Sequence, residues 1–297
     1  MRIFFAVSLT IFCVKAFAAL NILACTPEWG SLARELGGDK VSIAVATTAL
    51  QDPHRIEARP SLIARARSAD LLVCTGAELE AGWVPLLQSQ SGNAKIQNGR
   101  PGYFEAANAV TLIEKPERLD RSMGDIHAAG NPHVHLDPRN ITVIAIALSE
   151  RMAGIDVQNA AYYRERQVLF VQRWRESIAQ WEKQAAPLKG MGVVVYHKNL
   201  TYLLRWLGMR EVGTLEPKPG LPPSTAHLGE LLEQLKREPA KAAVRAAYNE
   251  PRAAEWLADR AKIPAVMLPF TVGGTDNAKD LFGLFDDSIA RLMAVNR

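Results

Sequence analysis

Cysteine is scarce in this chain, with three in 297 residues. No CxxC pair and no HExxH run occurs, so no local spacing announces a zinc ribbon or a metalloprotease helix. No basic run with interleaved aromatics occurs either. The formal charge is only +4, from 35 basic and 31 acidic residues scattered along the chain. Nucleic acid is therefore not an expected partner. Low-complexity tracts and short-period repeats are absent, which excludes a solenoid or a biased linker. What remains is 48% apolar and 22% charged, a globular composition. The length suffices for two ordinary domains.

The first residues read as an export signal. Met1-Arg2 is a short positive start. Residues 3–14 are apolar but too few to span a bilayer as a stable helix. Ala16-Phe17-Ala18 fits an A-x-A cleavage site. Residues 1–18 are thus expected to be a signal peptide and the mature protein to be periplasmic. Lys15 is an unusual residue so near the cut. A buried N-terminal helix is the rival reading, but a new strand-like run starts at Ala19. Phe12 precedes Cys13 where a lipoprotein signal wants a small residue, so no lipid anchor is expected. Export would place Cys25 and Cys74 in an oxidising compartment. Each ends an apolar strand-like run. They are either disulfide partners on neighbouring strands or two small core residues.

After the signal, short apolar runs alternate with helical stretches. Strands are expected at 20–25, 41–47 and 71–74, and helices at 28–36 and 60–68. This alternation implies a parallel sheet with helices on both faces. Residues 89–132 are irregular, rich in Gly, Asn and charge, and read as loops and short strands. Residues 140–155 have an amphipathic helical pattern. Residues 160–186 contain no Gly or Pro and carry Tyr162, Tyr163, Phe170, Trp174, Ile178 and Trp181 at near-helical spacing. They read as one continuous helix of about 40 Å. A second α/β block follows, with strands at 193–196, 242–248 and 265–268 and helices at 200–207, 226–237, 252–261 and 278–294. The expected fold is α/β, two parallel-sheet lobes joined by one long rigid helix. The expected domains are a first lobe at 19–155, a connector at 156–188 and a second lobe at 190–297.

Three of the six histidines stand where a strand or loop ends. His54 follows Asp52-Pro53, His133 follows Asn131-Pro132, and His197 follows the strand at 193–196. Ligands of open α/β sheets bind outside the carboxyl ends of strands. Three imidazoles and one further donor would complete a zinc tetrahedron. The spacing alone does not bind the three together, and isolated loop histidines are more often merely solvated.

Several motifs add to this reading. They are Asp52-Pro53-His54 with Arg59-Pro60-Ser61, Ala69-Asp70-Leu71, and Gly76-Ala77-Glu78-Leu79-Glu80. Further on come Asn131-Pro132-His133-Val134-His135-Leu136-Asp137-Pro138, Tyr196-His197-Lys198-Asn199 with Tyr202, and Glu216-Pro217-Lys218-Pro219-Gly220 with Pro223-Ser224. In this order they resemble the zinc/manganese class of ABC-transporter solute-binding proteins, from about residue 20 to the C-terminus. The resemblance implies that His54, His133 and His197 are metal ligands and that Zn2+ is bound cargo. It also implies a membrane permease as partner, a monomer, and no enzymatic activity. Three histidines are similar to the zinc branch, since manganese members use more carboxylate.

The chain departs from that family pattern in two places. A fourth, acidic ligand usually follows the last strand, but here the closest alignment places an apolar residue. Asp276 lies a few residues on and is the expected substitute, with Asp280, Glu250 or water behind it. His135 stands where a large aromatic is common and reads as wall rather than ligand. His127, with Asp125 beside it, is a candidate for auxiliary capture, and His227 is expected at a helix start without chemistry. The alternatives are a manganese-binding relative, a secreted zinc hydrolase with Asp276 or Glu250 as base, a zinc buffer or adhesin without a transporter, and an organic-solute binding protein, which would need a larger polar pocket.

Overall fold

The computed structural model describes residues 19–118, 124 and 127–295. The expected signal segment 1–18 and Asp125 lie outside the described residues. The first sheet is built from β1 (Leu20–Ala24), β2 (Val41–Val45), β3 (Leu71–Cys74) and β4 (Tyr103–Glu105), in the order β2-β1-β3-β4. Its helices are α1 (Pro27–Gly37), α2 (Pro60–Ser68) and α3 (Val84–Ser91). The second sheet comprises β5 (Gly192–Val195), β6 (Arg210–Thr214), β7 (Ala242–Ala246) and β8 (Ala265–Leu268), in the order β6-β5-β7-β8. Every pairing in both sheets is parallel. β3 and β5 are buried at every position, as a sheet covered on both faces requires.

Between the sheets run α4 (Pro138–Ile155) and α5 (Ala160–Ala185), followed after β5 by α6 (Thr201–Trp206), α7 (Thr225–Arg237), α8 (Pro251–Ala261) and α9 (Leu281–Val295). Five helices open with proline in their first turn, α1 to α4 and α8. Proline suits that position because its φ is already helical and its missing N–H would have had no partner.

α5 has 26 residues and spans about 39 Å at 1.5 Å per residue. Tyr163, Phe170, Val171, Trp174, Trp181 and Ala185 form its buried stripe, the helical period fixing which face turns inward. Arg166 donates from Nε to the Glu35 carbonyl at 2.7 Å, and Arg173 pairs with the Glu35 carboxylate at 2.6 Å, tying α5 to α1. Farther along, Trp181 donates to Asp286 of α9 at 2.6 Å, and Glu182 accepts from Trp206 of α6 at 3.0 Å. One apolar core runs through both lobes and includes residues of α1, α4, α5, α6 and α9. The lobes therefore share an interior as well as a connector.

Cys25 follows β1 and Cys74 ends β3, which are hydrogen-bonded neighbours. The two form a disulfide with Cα atoms 4.8 Å apart. The strand-end reading is the correct one of the two left open above.

Candidate metal site

Each of the three histidines has an oxygen acceptor at its ring Nδ1, and two of them share one local device. In the loop between β2 and α2 the chain makes a turn at Asp52-Pro53. Asp52 Oδ1 accepts from the backbone N–H of His54 at 3.0 Å and from the ring Nδ1 at 2.7 Å. The turn is anchored from behind by Trp83, whose indole N–H donates to the Pro53 carbonyl at 2.9 Å. Asn131-Pro132-His133 repeats this arrangement ahead of α4. Asn131 Oδ1 accepts from the His133 backbone N–H at 3.0 Å and from its Nδ1 at 2.8 Å. The Asn131 amide nitrogen donates to Glu114 and to the Lys198 carbonyl, both at 2.8 Å, which fixes the amide's orientation. Asx side chains readily bond the backbone two residues on, and the intervening proline stiffens the turn. His197, just past β5, gives its Nδ1 to Glu216 Oε2 at 2.7 Å, and that oxygen also accepts from the Gly220 N–H at 3.0 Å.

An oxygen acceptor at each Nδ1 places the ring proton there and leaves Nε2 as the lone-pair donor. The three rings form a nearly equilateral triangle, with centroids 5.6, 5.7 and 5.8 Å apart. One nitrogen of each lies within 4.8 Å of those of the others. Nε2 of His54 and of His133 is buried and has no hydrogen-bond partner. A buried polar atom without a partner is costly, and a cation bound among the three would satisfy both.

At His133, electrostatics favours the neutral imidazole that metal binding needs. Burial, together with the rings of His54, His197, His127 and His135, holds His133 well below its ordinary 6.5. Burial works against ionisation of Asp52, but its hydrogen bond with His54 prevails and keeps the carboxyl below 3.8. Asp52 and Glu216 thus set two carboxylates behind the rings, and together they offset the charge of a divalent ion. A cavity of ≈ 310 Å³ opens on His133 and His197, walled by His127, Glu114, Lys198 and Pro219.

Asp276 does not join the histidines. It is exposed, and the turn holding it is fastened elsewhere. Thr275 and Asn277, on either side, donate to Asp287 of α9 at 2.7 and 3.2 Å. The apolar residue facing the site from the loop after β8 is Phe270, whose ring lies 5.6 Å from that of His133. His135 faces away from the triangle, donating from Nε2 to the Phe270 carbonyl at 2.9 Å. His127 stacks on His54 at 5.4 Å on the cavity side, outside the group of three. His227 bonds the Thr214 carbonyl at 2.8 Å and holds α7 against β6. The residues that sequence reasoning passed over are Asp52, Asn131 and Glu216 as ring partners. The signal for the first two was present, an Asx-Pro-His tripeptide written twice.

Two parallel-sheet lobes on one long helix, with histidines from both lobes meeting at the seam, define a metal-type solute-binding protein. Over residues 22–295 the chain matches the profile of the zinc-uptake complex component A periplasmic (ZnuA) family, and it belongs to that family. It is 26% identical over 204 residues to the high-affinity zinc uptake system protein ZnuA of Yersinia pestis, a match covering 62% of this chain and 61% of that protein. It is 23% identical over 154 residues to the manganese ABC transporter substrate-binding lipoprotein scaA of Streptococcus gordonii, covering 52% of this chain and 47% of the relative. The match thus spans less than two thirds of either relative's length. A crystal structure of ZnuA superposes with a TM-score of 0.77 at 20% identity, covering 92% of this chain and 99% of that one.

Proposed function

We propose that this protein captures Zn2+ in the periplasm and delivers it to the membrane permease of an ABC-type importer, acting as a monomer exported by residues 1–18. In this reading the lobes at 19–155 and 190–297 flank the cargo, with the connector at 156–188 behind it. The observation that carries the reading is the imidazole triangle with its Nδ1 protons fixed by Asp52, Asn131 and Glu216. Nitrogen-only donors suit zinc, whereas manganese prefers oxygen-rich octahedral sites. A hydrolase would need a general base beside the open coordination position. The nearby carboxylates of Asp52 and Glu216 are engaged with Nδ1, and Asp276 and Glu250 are exposed.

The test is titration of the metal-free protein against a chromophoric zinc chelator. One zinc per chain is expected. Alanine at His54, His133 or His197 should each weaken binding more than about 100-fold, because losing a ligand costs more than the 10–100-fold of losing its hydrogen-bond partner. Parental affinity in the His133 and His197 variants would sink the reading. Turnover of ester, peptide or phosphate substrates by the zinc form would favour the hydrolase instead.

A further inference from the structure

The loop after β8 approaches the histidines with a phenyl ring in place of a donor. Phe270 is 2% exposed. Its ring lies edge-on to those of His133, His135 and Tyr248, at 5.6, 4.9 and 5.3 Å. Two ties keep it there. His135 Nε2 donates to its carbonyl at 2.9 Å. The next residue, Thr271, donates its hydroxyl to Glu28 of α1, a wholly buried carboxylate whose other oxygen accepts from Thr26 at 2.7 Å. A segment of the second lobe is thus clamped to the first lobe beside the site. Asp52, Asn131 and Glu216 already give an oxygen to each Nδ1 proton, and the phenyl ring beside His133 carries no donor atom for an incoming ion.

We propose that Phe270, positioned by Glu28 and His135, sets the metal selectivity of the site by closing one side of the imidazole triangle to oxygen donors. The inference rests on the reading of the triangle as the cargo site. With that side apolar, the ion has three imidazoles, and any further ligand must enter from the cavity that opens on His133 and His197. A four-coordinate ion such as zinc is satisfied by that set. Manganese, which favours six oxygen-rich positions, would be left short of ligands.

Two measurements test this. In the first, Co2+ serves as an optical probe in the unaltered protein. Intense visible bands of four-coordinate cobalt are expected, and the weak spectrum of six-coordinate cobalt would overturn the proposal. In the second, Zn2+ and Mn2+ affinities are compared by chelator competition in the parent and in Phe270→Leu, Phe270→Ala and Phe270→Asp. Leucine should keep the zinc-to-manganese ratio within about threefold, since the wall stays apolar. Alanine admits water and aspartate supplies an oxygen, so each should narrow the ratio at least about tenfold, mainly by strengthening manganese. An unchanged ratio in folded Ala and Asp variants would overturn the proposal. A parent that binds no zinc would instead defeat the cargo reading itself.

Discussion

Asp52 and Asn131 perform one task in two places, and only one of them carries charge. Both orient a ring, but Asp52 also places a negative charge behind its imidazole, as Glu216 does for His197. Removing such a partner frees the ring to rotate and lowers its basicity. Asp52→Ala and Glu216→Ala should each weaken zinc about 10–100-fold without unfolding the protein, by chelator competition. Asp276→Ala should leave affinity within about threefold, because an exposed carboxylate outside the ligand group contributes little. Of the site, the three histidines were legible from their places at strand and loop ends. The expected acidic fourth ligand was not, because a residue's reach depends on where its loop is pinned, and Asp287 of α9 pins this one by accepting from Thr275 and Asn277. Glu80 supplies an independent residue-scale test. It accepts from the N–H groups of Thr75 and Gly76 at 2.8 and 3.0 Å, and burial pushes its carboxyl from 4.5 up to about 7. Between those values the folded chain keeps a proton that the unfolded chain has lost. The stability due to this group is full below 4.5 and disappears as pH rises through 7. Glu80→Gln cannot lose that proton. Its stability relative to the parent should therefore rise across that window, as read by denaturant unfolding at several pH values.

Among the elements, the strands at the centre of each sheet were plain in the sequence because burial on both faces makes them continuous apolar runs. β4 and β6 were not. Both are edge strands; β4 has only three residues, and β6 carries Arg210 and Glu211. α3 was hidden for a different reason. Its sequence, VPLLQSQS, has no acidic first turn and no strong apolar stripe, and it is held by Trp83 and by Gln88, which donates to the Ile96 carbonyl at 2.7 Å. Tertiary contacts, not local propensity, decide it. The helix expected at 160–186 appeared nearly residue for residue, since a long stretch free of Gly and Pro leaves little else to form. The Cys25–Cys74 bond joins two elements 49 residues apart. By the chain-entropy argument a loop of that length contributes about 4 kcal/mol. A Cys25→Ala/Cys74→Ala chain should lose roughly that much in denaturant unfolding, and thiol titration of the denatured mature parent should find no free thiol. Two titratable thiols per chain would contradict the bond.

For the whole molecule, the two-lobe organisation was readable from the alternation of strands and helices. The continuity of the core between lobes was not, because it depends on α9 returning from the second sheet to pack on α5 and α1. With α5 fastened along both lobes, metal exchange should proceed by local loop shifts, not by wide opening. The metal-free and zinc-loaded forms should then have nearly the same radius of gyration by small-angle scattering; a change comparable to hinge closure would refute this. On the proposed reading zinc binds the folded site alone, so at a free concentration 1,000 times the Kd it should stabilise the protein by about 4 kcal/mol. At about 2–4 °C per kcal/mol for a chain of this size, the melting temperature should rise by about 8–16 °C.

The return of α9 also orders the protein's assembly in time. Phe170, Trp174 and Trp181 of α5 are covered by Phe282 and Phe285 of α9, with ring centroids 4.8–6.4 Å apart. A chain that emerges from its amino end can pair β1 with β3 early, but it cannot seal its aromatic interior until α9, residues 281–295, has been released. Closure of this core thereby waits for α9, and a chain shortened before residue 281 would present a sticky aromatic surface to the proteases and chaperones that survey unfinished proteins.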